Sequence, residues 1–406
     1  MRILHVCDSP NPAGVGGYES YLHHLSRVFA SEGHEAFVVT QSPSTDSPEF
    51  VARPHYRLFH LSGNLLEARK WKFLSLPENE RSSAARSMFS NNDISADVHV
   101  LTSQLRTLVR DLSPDVIHAH STYVVFNRVL EGLRRQGILS GIPVLATIHG
   151  LPKTLVLPGG ETTTDYEQLA QSCPFDRITA VSECVAAALR ERLPERSVNR
   201  IQLLYLGVDI SVFRPQRQVK KHWDLAFFGR IEQAKAVDLL PDMMVSLRTR
   251  FPDIRLVITG EGSYRRKFLD ELKKRDLMGA VSYLGVVPIE KIPDLLNEVR
   301  IFLYPSREEA FGMSLTEAMA CGVPVITTSV FGPSEIVTHA HDGLAMKPGD
   351  LRGLSEAVRE LLSDSRLRSR LGQNARKTVE KRFDLKKHSE QLLLLYHELR
   401  HAHRQS

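Results

Sequence analysis

Cysteine is scarce in this chain: 406 residues hold four, Cys7, Cys173, Cys184 and Cys321, widely separated and without a C-x-x-C pair. That spacing offers neither a disulfide framework nor a zinc site, and it fits buried or free thiols in a reducing cytoplasm. No apolar run approaches the ~18 residues of a membrane span. Met1-Arg-Ile-Leu-His-Val6 lacks a signal-peptide pattern and leads directly into a strand. A soluble, cytoplasmic protein is the expectation these absences support. No aromatic-basic nucleic-acid module is present, so no nucleic-acid partner is expected; the basic, aromatic Ala68-Arg-Lys-Trp-Lys-Phe73 reads as a surface excursion or a binding insertion. The net charge of +5 is modest for this length. It suits anionic substrates, peripheral contact with the inner face of a membrane, or simply a scattered basic surface.

What is present is an ordinary globular composition, 42% apolar and 24% charged, with 24 Gly and 21 Pro. The length suits two domains of about 200 residues each. Both halves alternate short apolar runs with amphipathic stretches, the pattern of strands linked by crossover helices. In the first half, strands are predicted at 2–7, 36–40, 115–119, 144–148, 177–181 and 201–205, with helices at 18–31, 98–112, 122–136 and 183–193. Gly14, Gly16 and Gly17 lie between the first strand and the first helix, where backbone can approach a ligand closely. They do not complete a G-x-G-x-x-G, and no ribose-reading acid follows on the next strand. Residues 42–97 are the least regular part. His149 and Gly150 end a strand at its carboxyl edge, where open α/β sheets place ligands. His118, inside its strand, reads as a satisfied core histidine, and His120 stands at the strand end.

The second half centres on Ser306–Pro324, S-R-E-E-A-F-G-M-S-L-T-E-A-M-A-C-G-V-P. A strand at 301–304 enters it, a strand at 324–327 leaves it, and a helix lies between. Gly312 and Ser314 supply a plausible helix start. A strand feeding a helix N-terminus through small residues aims unpaired N–H groups and a positive dipole at one point, which seats phosphate. Glu309 precedes that helix and Glu317 sits inside it, and a carboxylate can accept from two vicinal hydroxyls. By spacing alone, two exposed acids on a surface turn explain the pattern equally well. Arg230 and Lys235, near another helix start, can neutralise a diphosphate, or they are a solvated basic pair.

E-A-F-G-M-S-L-T-E-A-M-A-C-G-V-P-V closely resembles the E-x7-E signature of glycosyltransferase family 4, nucleotide-sugar enzymes of the GT-B fold. Gly229-Arg230 with Lys235 resembles that family's G-R-x4-K-G, with Ala236 in place of the last Gly. Gly207-Val-Asp209 resembles its G-V-D linker, Leu206 replacing the usual Asn, and Gly332-Pro-Ser-Glu335 its G-G-x-x-E, Pro333 replacing a Gly. The resemblance implies an α/β GT-B architecture of two doubly wound, Rossmann-like domains facing a central cleft. Residues 1–206 would bind acceptor, 207–382 would bind the nucleotide sugar, and a last helix, 383–406, would cross back onto the first domain.

The same resemblance implies the roles. Glu309 is expected to hold sugar hydroxyls and Glu317 the ribose. Amides of Phe311 and Gly312 would face the sugar, and those of Met313, Ser314 and Leu315 the diphosphate. Gly16, Gly17, Gly260 and Ala310 complete the donor side. His149, Glu309, Arg230 and Lys235 form the catalytic set. Gly14, Gly16, His120 and Lys153 are expected toward the acceptor. No D-x-D triplet occurs, so no metal is expected, and no cofactor beyond the nucleotide sugar. The implied function is retaining, metal-independent transfer from a UDP- or GDP-sugar to a small molecule, glycan or lipid. Another GT-B nucleotide-sugar enzyme, epimerase or phosphorylase-like, and a non-catalytic nucleotide-sugar-binding protein are the alternatives.

Overall fold

A computed structural model describes residues 1–7, 16–41, 49–61, 91–120, 125–156, 162–216 and 218–405. In the first part of the chain, apolar runs form strands β1 (Arg2–Cys7), β2 (Glu35–Gln41), β3 (Glu49–Ala52), β4 (Arg57–Leu61), β5 (Val116–His120) and β6 (Val144–Ile148). A small antiparallel pair, β7 (Thr154–Val156) and β8 (Thr162–Thr164), precedes β9 (Arg177–Ala180) and β10 (Ile201–Leu203). Eight of these strands form one sheet in the order β10-β9-β6-β5-β1-β2-β4-β3. Its neighbours pair in parallel except β3 with β4. β5 and β6 are buried along their whole length, as strands covered on both faces must be. From β1 the chain first winds toward β4 and then, from β5 onward, toward β10. Direction reverses between β1 and β5.

The later strands are β11 (Trp223–Phe228), β12 (Leu256–Thr259), β13 (Val281–Tyr283), β14 (Val299–Tyr304), β15 (Val325–Thr328) and β16 (Leu344–Met346). They form an all-parallel sheet ordered β13-β12-β11-β14-β15-β16. This is the 3-2-1-4-5-6 order of a doubly wound fold, and it reverses between β11 and β14. Leu225, Phe227, Ile258, Ile301, Leu303 and Ile326 build its core with helical Met243, Leu247, Phe268 and Val358.

The chain divides into two compact units: Met1–Pro12, Leu25–Leu204 and Ser389–Ser406 form one, and Ala13–His24 with Tyr205–His388 form the other. The second unit thus takes in a stretch that the sequence pattern assigns to the first domain. Its local reason is visible inside that unit: the Ser20 hydroxyl bonds Glu317, and a Cβ on Gly17 would lie 3.2 Å from the Met313 Cβ. In the first unit Tyr396 is fully buried against His118, and Arg400 pairs with Asp115 at 2.5 Å. Among the described residues no helix is long and apolar enough to cross a membrane.

Several boundaries differ from the sequence pattern. The helix expected at 98–112 starts earlier, spanning Asn91–Leu112. Before β14, a 3-10 turn, Ile289–Lys291, leads into a helix Ile292–Asn297 whose first turn holds Pro293; proline is tolerated there because its missing N–H has no intrahelical partner. The tail is three helices, Leu351–Ser363, Ser365–Arg382 and Leu385–Gln405, the last close to the expected 383–406. The first break falls at Asp364, whose carboxylate accepts from the Arg366 and Leu367 N–H groups.

Candidate active site

In the second unit, β11 and β14 end side by side at the reversal of the sheet. β14 ends at Tyr304 and runs into the loop that carries Glu309. One oxygen of that carboxylate, Oε2, accepts from the Lys235 Nζ at 2.5 Å and from the Tyr304 hydroxyl. The Lys235 and Glu309 side chains are only 11% and 15% exposed. Burial is the largest influence on Glu309 and pushes its pKa up; the charge and hydrogen bond of Lys235, with Tyr304 and Arg230, outweigh it, and the net direction is down. Burial, then the Glu309 charge, drives the Tyr304 phenol far up, so it remains a donor. Glu309 is therefore ionised within the protein. Both described bonds fall on Oε2, which leaves Oε1 for another donor.

Gly312 is the N-cap of the helix Met313–Ala320, with φ 123° and no side-chain cap bond. That φ lies where L side chains are strained, so glycine is required to turn the loop into the helix. The first N–H groups of the helix have no intrahelical acceptor. Ser314, expected to help start the helix, instead donates its hydroxyl to the Phe228 carbonyl at 2.9 Å. It thereby ties the helix start to the end of β11. Ala310, Phe311, Met313 and Leu315 are buried, so these residues present backbone rather than side chain. Glu317, one turn in, accepts from the Ser20 hydroxyl at 2.9 Å. Burial pushes it up to about 7 against that hydrogen bond. Of the two carboxylates in the motif, one is held charged and the other is poised near neutrality.

Arg230 follows β11 and is half-exposed, paired with Glu232 at 3.1 Å. Lys235, expected at the start of a helix, sits in a 3-10 turn, Gln233–Lys235, and the next α-helix begins only at Leu240. The physical reason is Ala236, whose φ of 55° is left-handed and breaks helical continuity. The position where the family motif carries Gly thus keeps the conformation Gly favours. Gly260 packs directly on the end of β11: a Cβ there would stand 2.0 Å from the Gly229 carbonyl oxygen. The Gly332 N–H bonds the Glu309 carbonyl at 3.1 Å. Pro333 is accommodated in the first turn of the helix Phe331–Ile336. Glu335 accepts from the Tyr205 hydroxyl at 3.0 Å. Leu206 is buried.

In the first unit the reversal between β1 and β5 gathers histidines. His5 of β1 pairs in register with His118 of β5. The His5 Nδ1 lies 3.1 Å from the His120 Nε2, and the His120 Nδ1 lies 3.0 Å from the His149 Nε2. His120, expected toward the acceptor, is fully buried between these two rings, because its strand position turns it into the sheet's interior. His118 bonds the Tyr396 hydroxyl at 2.6 Å and the Thr147 hydroxyl at 2.7 Å. His149 is half-buried just past β6. Lys153 is exposed, and its backbone N–H donates to Asp165 at 2.9 Å; burial pushes that Asp165 carboxyl up to about 6. Gly16 and Gly17 lead into the helix Gly17–Ser31. Gly14 and the basic, aromatic 68–73 stretch lie outside the described residues.

Ring nitrogens of His5, His118 and His120 come within 4.8 Å of one another, a grouping with the donor types of a metal site. Both nitrogens of His118 are bonded to hydroxyls, and His5 and His120 are bonded to each other. The cluster is therefore held as a hydrogen-bonded core. Sequence reasoning missed His5, Ser20 and Tyr304 as participants. A histidine inside an apolar strand and a tyrosine ending one were the available signals; Ser20 had none, since its partner lies 297 residues away.

Comparison with known proteins agrees with the two-sheet α/β architecture. A family model described as "Glycosyltransferase Family 4" matches residues 15–212, and one described as "Glycosyl transferases group 1" matches 209–378. A glycogen synthase of Mycobacterium tuberculosis is 25% identical over 405 residues, 95% of this chain and 91% of that one. A D-inositol 3-phosphate glycosyltransferase of Pseudarthrobacter chlorophenolicus is 27% identical over 389 residues, 91% and 87% of the two chains. Among solved structures, the sucrose-phosphate synthase of Thermosynechococcus elongatus superposes with a TM-score of 0.79 at 21% identity, over 99% of this chain and 100% of that one. Anabaena HepE, solved in complex with UDP-glucose, gives 0.68 at 16% identity, over 98% and 100%. The two parallel-sheet halves are those of the GT-B glycosyltransferases.

Proposed function

We propose that this chain, which belongs to glycosyltransferase family 4, moves a hexosyl or related sugar from a nucleoside-diphosphate sugar to a small-molecule, glycan or lipid acceptor, without a metal and with retention. One observation carries the reading: a buried, ionised Glu309 is clamped on one oxygen by Lys235 and Tyr304, beside a helix start without a side-chain cap. The other oxygen suits a sugar hydroxyl. The amides from Phe311 to Leu315 suit a diphosphate. Glu317, near neutrality, suits a ribose, since it can accept from one hydroxyl and donate to another. The solved complexes of Anabaena HepE with UDP and UDP-glucose add support for such a donor.

The chemistry is loss of a diphosphate. As the bond from the anomeric carbon to phosphate breaks, charge grows on the phosphate oxygens. A lysine ammonium has three N–H donors; Lys235 gives one to Glu309 and keeps two for phosphate. Arg230, half-exposed, meets the outer charge. Fixed donors of this kind stabilise a developing anion without rearranging. The acceptor hydroxyl bonds the anomeric carbon from the face the phosphate leaves, and its proton passes to a departing phosphate oxygen. His149 meets a sugar or phosphate oxygen, and Lys153 lies toward the acceptor.

The test is a thermal-shift screen against UDP, GDP and ADP, followed by release of nucleoside diphosphate from the corresponding sugars. A ligand at 100 Kd stabilises by about 2.7 kcal/mol. One nucleotide should stabilise strongly, and Glu309→Gln should keep that stabilisation while losing release. Folded protein that no nucleotide stabilises would overturn the reading.

A further inference from the structure

The ion pair of Lys235 and Glu309 joins two short segments, neither of them strand or α-helix. Lys235 ends a three-residue 3-10 turn, and Glu309 lies in the loop between β14 and the helix Met313–Ala320. A lysine stem is flexible, and burying it in one rotamer costs conformational entropy. For the ammonium to rest on the Glu309 Oε2, the two backbones need a fixed separation.

Arg307, two residues before Glu309, crosses from one segment to the other. Its backbone N–H donates to the Ala234 carbonyl at 2.8 Å. Its Nη1 donates to the Gln233 carbonyl and to the Asp238 Oδ1, both at 2.6 Å, and its Nη2 donates to the Asp238 Oδ2 at 2.8 Å. These acceptors fall on both sides of Lys235, at 233, 234 and 238. The guanidinium meets the carboxylate with two parallel bonds, and the side chains are 34% and 24% exposed. A fork of that kind fixes position as well as charge. The loop is tied to the sheet just before it, where the Ser306 carbonyl accepts from the Thr328 hydroxyl of β15 at 2.5 Å.

We propose that Arg307 and Asp238 are positioning residues that hold Lys235 against Glu309. The groups facing Glu309 are Lys235, Tyr304 and Arg230. Tyr304 ends β14 and Arg230 follows β11, whereas Lys235 sits on the turn that Arg307 secures. An ordinary surface ion pair would add a little stability and leave Glu309 untouched. The consequence for transfer rests on the proposed function: an ammonium that drifts from Glu309 also drifts from the departing diphosphate.

The experiment titrates the Glu309 carboxyl by carbon NMR of the full chain, without donor or acceptor, with Glu309→Gln assigning the signal. In the parent, Glu309 should titrate below the ordinary 4.5. Arg307→Ala and Asp238→Ala should each raise it, because burial then goes unanswered. The direction in Asp238→Ala decides the matter. Loss of a neighbouring anion by itself lowers a carboxyl pKa, so a rise reports loss of the facing ammonium. A Glu309 titration unmoved or lowered in Asp238→Ala overturns the proposal. In each variant kcat/KM should fall about 10-fold, the low end of what one charged hydrogen bond gives in the transition state. Arg307→Ala added to Lys235→Ala should cost little more, since the group it positions is already gone; losses that multiply would also overturn the proposal. Should Arg307→Ala not fold, Asp238→Ala and Arg307→Lys, which keeps the charge without the fork, carry the same test. Because the titration needs no turnover, an inactive protein whose Glu309 shifts as expected would refute the proposed function alone.

Discussion

At the reversal of the second sheet a carboxylate is kept charged inside the protein, whereas at the reversal of the first sheet a histidine is kept neutral. Glu309 and His5 are both withdrawn from water, and in both burial is the largest influence on the proton. The difference lies in the neighbours. Glu309 has an ammonium and a phenol on one oxygen; His5 has aromatic Phe29 stacked 6.1 Å away and another imidazole. A cation within hydrogen-bond reach overrides desolvation, and an imidazole does not. Two positions beside a sheet reversal thus yield a fixed anion in one unit and a neutral imidazole in the other. Glu317 stands between the two cases, with a hydroxyl as its partner and a pKa of about 7.

The largest test of the contrast removes the cation. Lys235→Ala strands Glu309 as an uncompensated buried charge, and breaking such a pair costs about 3–5 kcal/mol. Chemical denaturation should show a loss of that order, and kcat/KM should fall by about 10- to 150-fold, the worth of one charged hydrogen bond in the transition state. Arg230→Ala should fall at the low end of that range with stability little changed, because Arg230 is half-exposed and paired with Glu232. Equal effects of the two substitutions would erase the distinction between a buried and a peripheral cation.

Next in size is the pH dependence of Glu317. Its folded pKa, about 7, lies above the ordinary 4.5. The unfolded chain therefore releases this proton first, and folding stability falls as pH rises from about 4.5 to about 7. The loss is at most about 3 kcal/mol, at 1.36 kcal/mol per unit. Glu317→Gln should abolish that part of the slope, leaving the variant more stable than the parent above pH 7. Parallel stability curves for the two proteins would show that Glu317 is as ionised as Glu309.

A smaller effect is expected of Tyr304→Phe, which removes one donor from Glu309 while Lys235 stays. Transfer should slow by about 10-fold, the low end of a hydrogen bond to a charged group at roughly 1.5 kcal/mol, with nucleotide affinity intact. A loss as large as that of Lys235→Ala would mean the phenol, not the ammonium, holds the charge. The smallest effect expected is that of EDTA. If Lys235, Arg230 and the helix start neutralise the leaving diphosphate, activity should survive chelation; loss restored by Mg²⁺ or Mn²⁺ would transfer that role to a metal.

Much of the architecture was legible in the sequence because strand burial and helix amphipathicity are local. Runs such as Val144–Ile148 and Leu256–Thr259 are apolar throughout, and a parallel sheet covered on both faces demands that. The Ser306–Pro324 stretch was legible for a related reason: a loop that turns sharply into a helix needs a residue free to adopt positive φ, here Gly312, immediately before its helix. Less was legible at Lys235 and Ser314. The left-handed turn at Ala236 replaced the expected helix start, and the Phe228 carbonyl captured the hydroxyl expected to cap.

By itself, then, the sequence determined which segments become strands, where the glycine-led turns fall and which acids flank the loop, since those follow from period, backbone freedom and residue type. Only the tertiary structure decided the protons. Whether Glu309 is charged, Glu317 half-neutral or His5 neutral depends on partners at sequence distances of 74, 297 and 115 residues. Electrostatic energy falls with separation in space and with the exclusion of water, and neither is a property of neighbours along the chain.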